Sequence, residues 1–304
     1  MSFSHDAVCR HRSAESLTVN LAWNTRLETP TLGGALTLRV EAESLFACEG
    51  AQTFDLYMPQ EGGGDRTTLF EAAFESSLHE YRPNYGPAPQ GAYPAASDLS
   101  RAGFSYYSLA RICSIFEERG TKPLLLWSDL VRGLCVEQMG SISGRVIAVH
   151  LRQTKSEDSD LANADGRIWG TFFAESLQTH PDLTFLLLGD DELPGGVQLN
   201  SQVLLARDRD LPLEAQLCAA GLANGFIGMA SGICSAAQFS DVPHVIIKHP
   251  DYHLDAMERE LGASQAYPFA GPSQQLWRTE QSLTLLREAL GFVLSAGAKR
   301  PGSG

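Results

Sequence analysis

The stretch Val146-Ile-Ala-Val-His-Leu-Arg152 decides the fold class, because a short β-branched run here ends in polar side chains. Short apolar runs of the same kind follow it along the chain, at residues 183–188, 203–206, 225–228 and 244–248. Runs that are apolar throughout are typical of strands buried on both faces of a parallel sheet. Helical spacing lies between them, with Trp169, Phe172 and Phe173 on one face and Leu213, Leu217 and Ala220 on another. The C-terminal half is therefore predicted to be a doubly wound, Rossmann-like α/β domain.

Length and charge limit what the rest of the chain can be. A chain of 304 residues fits two domains of roughly 150 residues each. We expect an N-terminal α/β domain over residues 1–143, a linker at Gly140–Gly144, a second domain over 144–296 and a disordered tail over 297–304. The net charge of −13 argues against a broad nucleic-acid surface, since such a surface needs clustered Lys and Arg.

The cysteines and the N-terminus indicate a cytoplasmic protein. The first ten residues lack the apolar core of a signal peptide, and no window approaches the length of a membrane span. The six cysteines are scattered without a CxxC pair or a metal-binding spacing, so buried free thiols in a reducing compartment are expected.

The first half has a less regular pattern. Residues 35–40 alternate like a half-solvated strand after a turn at Gly33-Gly34, and residues 54–58 and 123–127 are predicted as further strands. One helix is expected to carry Phe70, Phe74, Leu78 and Tyr81 on a single stripe, and another to span 105–119 and end at Gly120. The Pro/Gly-rich stretch 82–94 is predicted to be a surface loop.

His150 and Arg152 form the first candidate site. They lie where the first strand of the second domain ends, and ligands of open α/β sheets bind at the carboxyl ends of strands. An Arg there offers a planar fork of donors to a diphosphate. The alternative is that Arg152 is a surface charge and His150 a satisfied edge residue.

Residues 228–239 form the second candidate site, where a strand leads into small residues and a helix expected to begin near Gly232. Small residues let a phosphate approach the backbone, and the first helical N–H groups then face it. Met229, Ser231 and Gly232 are the candidate contacts. The alternative for Ser231 is ordinary capping of the helix.

Two further candidates carry glycine or carboxylates. Glu61-Gly-Gly-Gly-Asp65 precedes a helix, so Gly63 and Gly64 are a possible cradle, although a triple glycine is more often a flexible turn. Asp190, Asp191 and Glu192 after the strand 183–188, and Asp210 and Glu214 beside the start of the next helix, are candidates for contacting a ribose or base, although helix capping is the commoner use of such residues. No DxD-like cluster stands at a strand end except Asp158-Ser-Asp160, which lies in a polar run and favours a solvated loop, so we expect no metal and no cofactor.

The stretch from Val146 to about Pro250 resembles glycosyltransferases of the GT-B fold. His150-Leu-Arg-Gln-Thr154 is similar to the HxRR motif of the fucosyltransferase superfamily, with Gln153 in place of the second arginine. Residues 213–242 resemble the later motif of that superfamily and, more loosely, of heptosyltransferases. The resemblance implies that His150, Arg152 and Thr154 lie at the nucleotide, that Ser231 and Gly232 contact phosphate, and that Glu214 contacts the base.

These expectations favour one function and leave two alternatives. The favoured function is metal-independent transfer of a sugar from a nucleotide-diphosphate donor to a glycan, peptide or small-molecule acceptor. Arg152 would stabilise the departing diphosphate, and a general base would come from the first domain, with Asp65 favoured over Glu61 and His79. The alternatives are a sugar-nucleotide epimerase of the same architecture and a non-catalytic relative that binds a nucleotide sugar.

Overall fold

A computed structural model describes residues 17–24, 28, 30–46, 50–58, 67–94, 109–155 and 159–297. The chain separates into two compact units that divide between Asp129 and Leu130. We call residues up to Asp129 unit 1 and residues from Leu130 unit 2. The domain boundary expected at residue 143 stays a prediction, and the tail expected to be disordered lies outside the described residues except for Gly297.

Unit 1 is built on a parallel sheet covered by helices. The strands are β1 (Leu17–Ala22), β2 (Ala51–Tyr57) and β3 (Glu80–Asn84), hydrogen-bonded in that order and all parallel. The described helices are α1 (Leu32–Phe46), α2 (Thr67–Glu75) and α3 (Leu109–Arg119). The predicted strand at 54–58 is confirmed as β2, and Gly120 ends α3 with a positive φ of 67°, as expected of a residue after a helix.

The strand and turn predicted around residues 33–40 are wrong, because these residues belong to helix α1. Burial explains the error: α1 is buried on almost every side, so it shows no amphipathic period that would distinguish it from a strand. Its interior polar groups are paired, Arg39 with Glu43 at 2.9 Å and Glu41 with Arg111 of α3 at 2.7 Å.

Three other predictions in unit 1 need correction. The helix α2 ends at Glu75, so Leu78 is exposed in a bend and Tyr81 lies in β3. The stretch 82–94 begins as part of strand β3, where Pro83 is tolerated because, among the described strands, β3 pairs with β2 alone and is an edge strand. Residues 123–127 form no strand and contribute a single bridge from Trp127 to Ser77.

Unit 2 contains a six-stranded parallel sheet in the order β6-β5-β4-β7-β8-β9. Its strands are β4 (Arg145–His150), β5 (Leu183–Leu188), β6 (Val203–Leu205), β7 (Gly225–Met229), β8 (His244–Lys248) and β9 (Gln274–Arg278). Its helices are α4 (Asp129–Gly140), α5 (Ser159–Ala162), α6 (Gly166–Thr179), α7 (Leu213–Leu222), α8 (Cys234–Gln238), α9 (Leu254–Glu260) and α10 (Leu283–Gly297).

The predicted α/β fold class is confirmed, and the strands and helices expected in unit 2 are present. Strand β9 was not predicted because it is an edge strand, and its polar glutamines hide the apolar pattern. The core of unit 2 forms where α6 packs on the sheet, with Phe172 and Phe173 both against Phe185 of β5. Helix α6 begins after Asp165, whose carboxylate accepts from the Arg167 amide at 2.9 Å.

Two helical glycines provide a matched test of this packing. A Cβ on Gly170 of α6 would overlap the carbonyl oxygen of Gly196, whereas a Cβ on Gly291 of α10 would meet nothing within 4 Å. Gly170→Ala should lower the free energy of unfolding by about 1–3 kcal/mol, because backbone must move. Gly291→Ala should raise it by about 0.5–1 kcal/mol. Urea unfolding of both variants measures the difference, and a stabilised Gly170→Ala protein would contradict the packing described.

Candidate active site

The carboxyl edge of the unit 2 sheet has one topological switch point. Strand β4 pairs with β5 on one side and with β7 on the other. The chain therefore adds β5 and β6 on one side of β4 and then β7, β8 and β9 on the other side. The loops after β4 and β7 therefore leave the sheet in opposite directions. In open α/β sheets this is where ligands bind.

Arg152 lies at the switch point, two residues after β4. Its Nη1 donates to the carbonyl of Ala230, just after β7, at 2.9 Å, and its guanidinium carbon is 5.1 Å from the ring centroid of Tyr252. Among the described residues no carboxylate forms an ion pair with it. The guanidinium is thus fixed on two sides and keeps donors for an anionic ligand.

The turn after β7 contains Ser231 and Gly232, both half-buried, beside Arg152. Helix α8 begins at Cys234, two residues later than predicted, and its N-cap is Ile233, which makes no side-chain cap bond. The capping alternative for Ser231 is therefore wrong: its hydroxyl lies 3.6 Å from the Cys234 sulfur. With only five residues, α8 offers little dipole, so any phosphate contact here must come from Ser231 and backbone N–H groups.

Cys234 and Met229 hold this turn from inside. The Cys234 thiol donates to the Met229 carbonyl at 3.0 Å, and burial raises the pKa of that thiol to about 11. The thiol therefore stays protonated at neutral pH and serves as a hydrogen-bond donor. Met229 is buried as the last residue of β7, so its side chain belongs to the core, and its carbonyl shapes the turn.

His150 is a buried residue of the sheet and is 3% exposed. Its Nδ1 lies 3.0 Å from the Leu188 carbonyl, and because a carbonyl only accepts, Nδ1 carries the proton. Burial lowers the pKa of His150, so the ring is neutral at pH 7. It packs against Gly189, where a Cβ would approach to 3.1 Å and φ is +98°. His150 therefore ties the ends of β4 and β5 together beside Arg152.

Hydrogen bonds from the backbone and from polar side chains hold the loop after Arg152 in place. The Thr154 amide donates to Asn163 Oδ1 at 2.6 Å, and Asn163 Nδ2 donates back to the Thr154 carbonyl at 2.8 Å. Gln153 replaces the second arginine of the resembled motif, and its side-chain amide donates to the Ala164 carbonyl at 3.0 Å. Gln153 is thus a structural residue of this loop.

Of the other predicted residues in unit 2, Glu214 forms no ion pair with Arg152. Glu214 is half-buried in the first turn of α7, which follows β6, two strands away from β4. Glu61, Gly63, Gly64 and Asp65 lie outside the described residues. His79 is half-buried in unit 1 with its ring edge-to-face on Phe54.

Lys248 is the site residue that the sequence analysis missed. It ends β8 and is 7% exposed, with its ammonium 5.4 Å from the centroid of the same Tyr252 ring that Arg152 contacts. Burial lowers its pKa to about 8, with Arg152 and Arg278 adding to the effect and Glu260 opposing it. The available signal was a cation directly after an apolar strand that was already predicted.

The described residues contain no group of three His, Cys, Asp or Glu side chains arranged to hold a metal ion. None of the described helices combines the length and the apolar character of a membrane span.

The buried lysine predicts an unusual stability profile. Folding lowers the pKa of Lys248 from 10.5 to about 8, so the unfolded chain binds more protons between these values and stability rises with pH across that window. Below pH 8 the buried charge costs up to about 3 kcal/mol, at 1.36 kcal/mol per pKa unit.

Lys248→Met should therefore be more stable than the wild type at pH 7, and the gap should shrink by pH 10. Urea unfolding of both proteins at the two pH values measures this. A gap that does not change with pH would contradict a buried charged lysine.

Comparisons with known proteins found distant structural similarity. No protein-family model and no curated protein match the sequence. Among solved structures, the dodecameric iron-containing heptosyltransferase TibC in complex with ADP-D-β-D-heptose matches with a TM-score of 0.48 and 13% identity, covering 94% of this chain and 79% of that one. The E. coli heptosyltransferase WaaC with ADP matches with a TM-score of 0.45 and 12% identity, covering 91% and 99%.

A second WaaC structure, with ADP-2-deoxy-2-fluoro heptose, matches with a TM-score of 0.42 and 13% identity over 92% of this chain and 99% of that one. The sequence of residues 213–242 resembles that of heptosyltransferases more loosely than that of the fucosyltransferase superfamily. Similarities this distant do not identify a substrate for this chain.

Proposed function

We propose that this protein is a glycosyltransferase that takes a sugar from a nucleotide-diphosphate donor, with the diphosphate at the carboxyl edge of the unit 2 sheet. The observation that carries the proposal is Arg152: a guanidinium at the topological switch point, fixed by the Ala230 carbonyl and the Tyr252 ring and paired with no carboxylate of the described residues. A cation held in this way stabilises an anion that the protein itself does not supply.

The chemistry follows from where charge develops. When the bond between the sugar and the diphosphate breaks, the leaving diphosphate gains negative charge, and a preorganised guanidinium stabilises that charge without reorganising. Arg152 suits this role because its fork of donors matches two phosphate oxygens. The half-buried Ser231 hydroxyl and the small residue Gly232 supply further donors and room beside it.

The other partners of the reaction stay proposals from the sequence. We propose that residues of unit 1 bind the acceptor, which is a glycan, peptide or small molecule, and that Asp65 is the general base. The donor sugar, fucose-like or other, and the independence from metal are further parts of the proposal. His79 is the alternative base within the described residues.

Arg152→Ala tests the proposal against a matched control in strand β4. Loss of a charge-assisted pair should weaken binding of nucleoside diphosphates by about 10- to 150-fold, since such a pair is worth about 1.5–3 kcal/mol. Nucleoside monophosphates should lose much less. Titration calorimetry with GDP, UDP and ADP measures the affinities.

The control is Arg145→Ala, at the opposite end of β4, where the side chain forms an exposed ion pair with Asp182 at 2.7 Å. Exposed pairs contribute little, so this variant should bind like the wild type. Equal affinity of wild type and Arg152→Ala for every nucleoside diphosphate would contradict the assignment of Arg152 to the diphosphate.

One observation favours a second function, a non-catalytic protein that binds a nucleotide sugar. Gln153 stands where the resembled motif has its second arginine, and its amide is committed to the Ala164 carbonyl. Incubation with nucleotide sugars and an acceptor panel separates the two functions. Donor that is bound but never consumed would support the binding protein and exclude the transferase.

Gly232→Val tests the turn itself. If a phosphate approaches the backbone here, a branched side chain should abolish nucleotide binding while the unliganded protein still unfolds cooperatively. Calorimetry and a thermal melt on the same preparation give both readings. A folded Gly232→Val protein with wild-type affinity would remove this turn from the site.

A further inference from the structure

Lys248 is a buried cation that forms no ion pair with a described carboxylate, and Glu260 favours its charged form only from a longer distance. Its side chain is more than nine-tenths buried, and its ammonium makes neither a hydrogen bond nor an ion pair within the described residues. The contact it does make is with the face of Tyr252, at 5.4 Å. Burying a charge without a partner is costly, and the cost is normally avoided by pairing or by loss of the proton.

The charged groups around Lys248 come from three neighbouring elements. Arg152, after β4, and Arg278, at the end of β9, disfavour its charged form, whereas Glu260 of α9 favours it. Tyr252, between β8 and α9, contributes its ring face to both Lys248 and Arg152. Burial is the largest influence, and together these effects lower the pKa to about 8.

We propose that Lys248 is the second phosphate ligand of this site, and that its amine takes up a proton from solvent when a diphosphate binds beside Arg152. The inference rests on the proposed function, because it assigns Lys248 to the same diphosphate. The incoming anion would add a direct negative partner to the longer-range influence of Glu260. The proton moves from a buffer acid to the Nζ lone pair, and no covalent bond to the ligand forms.

Proton uptake can be counted directly. We would titrate the full chain with ADP, UDP and GDP at pH 9, where the amine of Lys248 is mostly neutral and the ligand phosphates are ionised. Calorimetry in two buffers of different ionisation enthalpy gives the number of protons taken up. Wild type should take up close to one proton per site at pH 9 and close to none at pH 6.5.

Three variants separate the effect of a positive charge at position 248 from the effect of its titration. Lys248→Arg keeps a permanent cation, so it should bind nucleoside diphosphates with little proton uptake at pH 9. Lys248→Met should lose about 10- to 100-fold in affinity, as expected for a lost charge-assisted contact. Lys122→Met makes the same chemical change in unit 1 and should match the wild type in both readings. Inorganic pyrophosphate serves as a second probe for affinity alone.

The outcomes distinguish the assignment of Lys248 from the proposed function. If nucleoside diphosphates bind equally to wild type and Lys248→Met, or if Lys248→Arg takes up as many protons as the wild type, the Lys248 assignment is overturned and the Arg152 site remains. If pyrophosphate binds and weakens at least tenfold in Lys248→Met but no nucleotide binds, the proposed function fails and Lys248 stands. If neither probe binds the wild type, both are overturned.

Discussion

The double pairing of β4 is the constraint on which the rest of unit 2 depends. Ile147 lies opposite Phe185 of β5 on one side and opposite Gly225 of β7 on the other. Gly225 makes that second pairing possible, because Val293 of α10 occupies the space that a side chain would need. Once β4 is central, the loops after β4 and β7 must diverge, and the space between them is where Arg152 and Ala230 meet.

The treatment of buried cations differs between the two units, and the difference points to function. In unit 1 the buried guanidiniums have carboxylate partners: Arg39 pairs with Glu43 and Arg111 with Glu41. At the carboxyl edge of unit 2, Arg152 and Lys248 both contact the ring of Tyr252, and neither forms an ion pair with a described carboxylate. This contrast, in which Glu260 favours the charge of Lys248 only from a longer distance, is the basis of the anionic ligand proposed above.

The strands of unit 2 were predicted well because they are buried on both faces, so that their residues form continuous apolar runs. The runs 183–188 and 244–248 coincide with β5 and β8. Helix α1 was misread for a related reason, since burial on almost every side removes the period that separates a helix from a strand.

The candidate site was only partly predictable. Position at a strand end was enough to single out Arg152, because the carboxyl edge is defined by topology that the strand order already implies. His150, in the same motif, is a buried neutral residue that joins two strands, and its expected place near the nucleotide stays a prediction. Lys248 was overlooked although it ends a run predicted as a strand, because the sequence does not show that Tyr252 and Arg278 of the unpredicted strand β9 lie near it.

Arg152 and Lys248 differ in whether the side chain can lose its positive charge when no ligand is bound. A guanidinium stays charged at every accessible pH, so Arg152 must be held by the Ala230 carbonyl and by Tyr252 even without ligand. Lys248 can release its proton, so at alkaline pH the unoccupied site need hold only one fixed charge. A ligand with a single negative charge is satisfied by Arg152 alone, whereas a diphosphate also stabilises the protonated form of Lys248. In the proposed site the pair therefore favours ligands whose negative charge is spread over two phosphate groups, which is the property that separates a nucleotide-diphosphate donor from a monophosphate.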